Sequence, residues 1–163
     1  MPVVDVQITR REPYAGGQSF GDAGPFERID GVFEFAVDPD NRANEAIVDL
    51  GLAPRASDNR VRFRSDFRLI IPGDPNRGGH RLLVDLVNRG RPRAVTLFNR
   101  APVPPEGSGE IPPGDGFLFR HGYSVVSLGW QWDVYSSEAL LGLEPSHAQI
   151  DGKPIRGQAV IEI

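Results

Sequence analysis

Arg81-Leu-Leu-Val-Asp-Leu-Val-Asn88, Gly116-Phe-Leu-Phe-Arg-His-Gly122 and Tyr123-Ser-Val-Val-Ser-Leu128 decide the fold of this chain. The first and third are short apolar runs of strand type bounded by turn residues. The middle one spans about two helical turns and closes on a glycine suited to the position after a helix end. Strand, short helix and strand form a βαβ unit, which predicts two parallel strands joined by a crossover. Ligand sites in such sheets lie beyond the carboxyl ends of the strands. Asn88-Arg89-Gly90, after the first strand, and Trp130-Gln131, after the second, are therefore expected side by side.

Upstream, the pattern is that of antiparallel strands. Val4, Val6 and Ile8 alternate with polar neighbours between Val3 and Thr9, as in an edge strand. Glu12 to Arg28 reads as glycine-rich loop, Val32 to Val37 as a second strand stopped by Asp38-Pro39, and Asn41 to Asn44 as turn material. The clearest periodicity runs from Val61 to Ile71. Val61, Phe63, Phe67, Leu69 and Ile71 share a face, with Ser65 the exception, while Arg62, Arg64, Asp66 and Arg68 point to an expected solvated face. After Asp133, a short helix is expected over Ser136–Leu143, then a turn at Asp151-Gly152 and a final strand over Pro154–Ile163. The reading is one domain over residues 1–163: a β-rich part (1–80), the βαβ unit (81–133), and a helix with a last strand (134–163). Pro102 to Gly116 is a mobile loop inside it.

Composition narrows the function classes. A chain of 163 residues can bury roughly 70% of its unfolded surface, and 19 glycines with 15 prolines favour short strands and turns over long helices. The net charge of −4 argues against nucleic-acid and anionic-membrane partners. The absence of cysteine excludes disulfides, thiolate metal sites and cysteine nucleophiles. No signal peptide or transmembrane run is visible, so the cytoplasm is the expected location.

Several motifs fail on context. Gly17-Gln-Ser-Phe-Gly21 satisfies the pattern of a nucleophile elbow, but no apolar strand precedes it and Asp22-Ala-Gly-Pro25 cannot propagate a helix. Ser19 is thus read as a loop residue. His80, His121 and His147 lack metal-ligand spacing, and Asp38–Glu45 lacks the glycine of a calcium loop, so no metal and no cofactor are expected. Arg62, Arg64 and Arg68 form a basic stripe without interleaved aromatics, which is read as solvated.

Seven short segments, in order, carry a family resemblance: Gly17–Arg28, Phe35–Pro39, Asn44–Leu50 with Ala53-Pro-Arg55, Ser65-Asp-Phe67, Asn88-Arg-Gly90, Gly114–Leu118 and Gly129-Trp-Gln131. Together they resemble the amino-terminal region of the alpha/beta hydrolase domain-containing proteins. Trp132 departs from that pattern, which has a small residue after Gly-Trp-Gln. The resemblance implies a strand-dominated mixed α/β fold, like the first part of an alpha/beta-hydrolase sheet. It also implies an esterase-type activity whose serine, acid and histidine lie outside this sequence. Asn88, Arg89 and Gly90 would then be an oxyanion loop, and Trp130, Gln131 and Trp132 an acyl-pocket wall. The chain alone is expected to be inactive. Its expected partner is the missing catalytic half, or another copy through an open sheet edge. The alternative is a free-standing, non-enzymatic module that binds a ligand or a partner chain.

Overall fold

A computed structural model describes residues 3–157. Five main strands form one sheet: β1 (Val3–Pro13), β2 (Phe26–Val37), β3 (Val61–Pro72), β4 (Arg81–Leu86) and β5 (Tyr123–Leu128). Their order is β1-β2-β3-β5-β4, and a two-residue strand, β6 (Leu143–Glu144), pairs with β3 beyond the end of β5. β1, β2 and β3 are antiparallel neighbours, β3 and β5 run antiparallel, and β5 and β4 are parallel in register from Arg81–Tyr123 to Leu86–Leu128. The fold is mixed and strand-dominated, with antiparallel early strands and one parallel crossover.

The crossover holds two short helices, α1 (Ala94–Phe98) and α2 (Phe117–Arg120). α1 was not anticipated, and α2 covers a single turn of the expected two. Gly122 takes φ +69° after α2, the left-handed conformation that ends a helix cheaply only at glycine. The intervening loop is not free. Asn99 is fully buried: its Oδ1 accepts the Leu118 N–H at 2.9 Å, and its Nδ2 donates to the Pro113 carbonyl at 3.0 Å. Its own carbonyl accepts the Asp115 N–H at 2.7 Å.

Cross-strand pairs sort the sheet into two faces. One carries Phe26, Arg28, Asp30, Arg68, Ile70, Leu83 and Val125. It packs Phe26, Ile70 and Val125 against Tyr14, Phe20, Leu118 and Phe119 as the core. The ring centroids of Phe20 and Phe26 each lie 5.0 Å from that of Phe119. The opposite face carries Val6, Ile8, Phe33, Phe35, Phe63, Phe67, Leu69, Val84, Val126 and Leu128.

Three expectations need correction. β1 continues to Pro13 and β2 begins at Phe26, so the loop expected over Glu12–Arg28 shortens to residues 14–25 and the strand begins before Val32. Arg28 and Asp30 hid that strand, because they break the apolar alternation while pointing into the core. Arg68 is likewise not on a solvated face: it is 4% exposed and paired with Asp30. No helix forms over Ser136–Leu143, since its polar groups serve other elements. Ser136 Oγ and the Gly142 N–H both reach Asp66 Oδ2, and the Leu141 N–H donates to the Gly90 carbonyl at 2.8 Å. The final strand expected over Pro154–Ile163 lies mostly outside the described residues. Within them, β7 (Gln149–Ile150) and β8 (Lys153–Pro154) make a hairpin around Asp151-Gly152, both at positive φ as a tight hairpin turn requires.

Candidate functional site at the ends of the parallel strands

β4 and β5 finish together at Leu86 and Leu128, and the residues that follow are tied to one another. Trp130 Nε1 donates to the Val87 carbonyl at 2.7 Å. The Arg89 N–H donates to Gln131 Oε1, and Arg89 Nη1 lies 2.6 Å from Asp133 Oδ2. That hydrogen bond to the guanidinium holds the Asp133 carboxyl below its usual range. Asn88, Arg89 and Gly90 are thus brought beside Trp130 and Gln131, through specific polar contacts.

The loop conformation explains its residues. Arg89 and Gly90 take φ +51° and +76°, and an isolated bridge joins Asn88 to Arg91. Gly90 is buried under the 134–141 segment. A methyl group there would meet Val134 Cγ1 at 2.6 Å and the Leu141 carbonyl oxygen at 3.1 Å. Among the described residues, the Gly90 N–H has no hydrogen-bond partner.

Asp85 supports this end of the sheet from within β4. Its Oδ2 accepts the N–H groups of Arg93 (3.0 Å) and Ala94 (3.2 Å) and the Ser127 hydroxyl (3.2 Å). One carboxylate therefore caps α1 and ties β4 to β5. The signal was in the sequence: an aspartate that interrupts the apolar run Leu82-Leu-Val-Asp-Leu86 points to polar partners beside the strand.

The aromatic wall does not close into a pocket. Trp130 is exposed around its anchored indole nitrogen, and Trp132 is 70% exposed. An apolar cavity of about 290 Å³ lies elsewhere, where Val37, Val61 and Phe63 meet Ile47, Val48 and Leu143. A second hollow of about 350 Å³ has Tyr14, Arg28 and Ile111 in its wall. Ser19 lies on an exposed loop between two short 3₁₀ turns, in an isolated bridge to Pro25. The fixed point of that loop is its neighbour Phe20, buried in the aromatic core. The strand-to-helix turn that gives a nucleophile its reactivity is not formed there.

The remaining candidates are dispersed. His80 stands at positive φ before β4, His121 packs edge-on to Phe117 at 4.7 Å between centroids, and His147 lies between β6 and β7. Among the described residues, no group of histidine, aspartate and glutamate could hold a metal ion, and no helix is long and apolar enough to cross a membrane. In the basic stripe, Arg62 and Arg64 both pair with Glu34, at 2.7 and 3.2 Å.

No protein-family model, no curated protein and no solved structure matches the chain.

Proposed function

We propose that the chain is the amino-terminal portion of a serine-hydrolase-like, esterase-type protein, contributing an oxyanion loop and one wall of an acyl site. The observation that carries the reading is the Gly90 N–H without a hydrogen-bond partner among the described residues, in a glycine-containing loop at the carboxyl end of a parallel strand. A preorganised amide of that kind stabilises the oxyanion of a tetrahedral intermediate, because it needs no reorientation when the charge develops. Gln131 and Asp133 support the reading too, since they hold Arg89 and so fix the loop beside the end of the neighbouring strand. The nucleophile, its base and the acid would come from another polypeptide segment. That segment would reach the site along the open edge of β4, and acyl transfer to water would pass through a covalent acyl-enzyme.

Fluorophosphonate labelling of the folded chain, read by intact mass, tests this directly. No adduct and no turnover of a short-chain aryl ester are expected. A stoichiometric adduct lost in Ser19→Ala would overturn the reading and make the chain a small serine hydrolase in its own right.

The cavity beside Val37 and Phe63 favours a second reading, a non-enzymatic module for an apolar ligand. A rise in melting temperature with a medium-chain fatty acid, without ester turnover, would mark it.

A further inference from the structure

The sheet ends on two strands that meet solvent differently. β1, at one edge, is broken by register shifts at Val3/Asp5 and Ile8/Arg10 and finishes on Arg10-Arg-Glu-Pro13. Bulges, charges and proline are the devices that keep an edge strand from pairing further. β4, at the other edge, has none of them on its outer side. It pairs with β5 without a shift from Arg81 to Leu86. Its one internal charge, Asp85, is turned to the core face and bound to the Arg93 and Ala94 amides and the Ser127 hydroxyl. On the opposite face, Leu82, Val84 and Leu86 are 59%, 51% and 65% exposed.

The backbone of β4 is open in the same rhythm. The Val87 N–H donates to the Leu128 carbonyl at 3.3 Å, which sets the parallel ladder: the odd-numbered residues of β4 turn their N–H and C=O groups to β5. Those of Leu82, Val84 and Leu86 therefore point away from the sheet, and among the described residues nothing pairs with them. A row of donors and acceptors at strand spacing is complementary to one chemistry, the backbone of another extended chain. Near-continuous apolar runs such as Leu82–Val87, paired in parallel, belong to the interior of sheets.

We propose that the outer edge of β4 receives an extended, uncharged segment of another polypeptide as a further strand of the sheet. Hydrogen bonds to the main chain of Leu82, Val84 and Leu86 hold its backbone, and its alternate apolar side chains lie against theirs. The segment is uncharged because Leu82, Val84 and Leu86 stand beside Ser124, Val126 and Leu128, with no charge among them. A charged side chain there would lose water and gain no partner. The mode of docking rests on β4 alone; naming the segment as part of the polypeptide that brings the catalytic groups rests on the reading above. The two fit because β4 runs directly into Asn88-Arg89-Gly90, so a strand laid along it ends beside that loop.

The probe is the peptide acetyl-Val-Thr-Val-Thr-Val-Thr-amide, N-methylated on its threonines so that one edge can pair and the other cannot. Titrated into the isotope-labelled full chain and followed by NMR, it is expected to shift the Leu82, Val84 and Leu86 amides to saturation. Their hydrogen exchange should slow by about tenfold, while the Val6 and Ile8 amides stay unchanged. Val84→Lys puts a charge on the edge and should weaken binding by about tenfold. The site is exposed, so an unchanged far-UV spectrum will show that the variant folds; Ile8→Lys, on β1, should bind as wild type. Protection shared equally by β1 and β4 would overturn the proposal, as would shifted methyl groups on the open face without protection of the β4 amides. No saturable response up to the solubility of the peptide would overturn it too. So would protection of these amides that rises with chain concentration alone, because a second copy would then hold the edge. A serine adduct in the labelling experiment would remove the catalytic partner and leave the edge standing; a silent titration would do the reverse.

Discussion

Asp30 sits between two guanidinium groups that water barely reaches. Arg28 Nε and Nη2 donate to its carboxylate at 3.1 and 2.7 Å, and Arg68 Nε donates at 2.9 Å. Arg28 also donates to the Gly109 carbonyl and Arg68 to that of Glu138, so the cluster fastens two loops to β2 and β3. Burial alone would push the Asp30 carboxyl up, but hydrogen bonds and charge from Arg28 and Arg68 outweigh it and hold the carboxyl below its ordinary value of 3.8. A depressed carboxyl contributes stability above its unfolded value and loses it as pH falls through the folded one. Acid titration should therefore lower the unfolding midpoint below about pH 4, and Asp30→Asn should flatten that limb. The same substitution leaves two buried cations facing a neutral amide and should cost about 3 kcal/mol at neutral pH, measured by denaturant unfolding. Gly90→Ala is the second test at this scale. A methyl group at φ +76° against Val134 and Leu141 should cost about 1–3 kcal/mol. It should also speed amide exchange at Leu141, whose N–H is held by the Gly90 carbonyl. A protected Leu141 amide in that variant would mean the 134–141 segment does not depend on the loop. Gly90 was recognised in the sequence as a turn glycine; Arg28 and Arg68 were not recognised as core residues, because a charged side chain enters a core only when its partner is already in place.

At the scale of elements, the crossover depends on a residue that belongs to no helix. Asn99 follows α1, yet it holds the start of α2 and the middle of the loop together. Asn99→Ala would strand the Leu118 N–H and the Pro113 carbonyl in the interior, at a cost of about 1–3 kcal/mol. Limited proteolysis should then cut the 102–113 loop faster, while wild type resists. Equal rates would mean that proline content, not Asn99, orders the loop. β3 illustrates the limits of periodicity. Its alternation placed every side chain on the correct face, including Ser65, whose hydroxyl donates to the Gly129 carbonyl at 2.5 Å where the chain leaves the sheet. The same alternation cannot say which face is wet. Here the polar face is partly buried and the apolar one partly open.

For the whole molecule, the division of the sequence at residue 80 marks no structural boundary. The core takes Tyr14, Phe20, Phe26 and Ile70 from one side of it and Ala94, Leu118, Phe119 and Val125 from the other. β5 from the second part lies between β3 from the first and β4. Unfolding should accordingly be one cooperative transition, with far-UV and near-UV signals coincident. The segments 1–80 and 81–163, produced separately, should each remain unfolded. A folded 1–80 segment would show that the antiparallel strands carry their own core. Phe119→Ala, at a fully buried centre of the aromatic cluster, should lower the stability of the whole unit by about 3–5 kcal/mol.

The sequence by itself determined the strands with clean apolar runs, the parallel pairing of β4 with β5, the turns at Asn88 and Asp151, and the meeting of Asn88–Gly90 with Trp130-Gln131. These follow from local patterns: period-two alternation, turn chemistry, and the rule that a crossover returns a strand parallel to its start. Only the tertiary structure decided the length of β2, the burial of Arg28 and Arg68, the irregular path of 134–142, and the open apolar face of the sheet. Each of these depends on partners distant in sequence. Asp30 meets Arg68 across two strands, Asp66 collects Ser136 and Gly142, and whether an apolar face is covered depends on which elements the chain sends over it. Local pattern names what a residue prefers; what it meets is set by the fold as a whole.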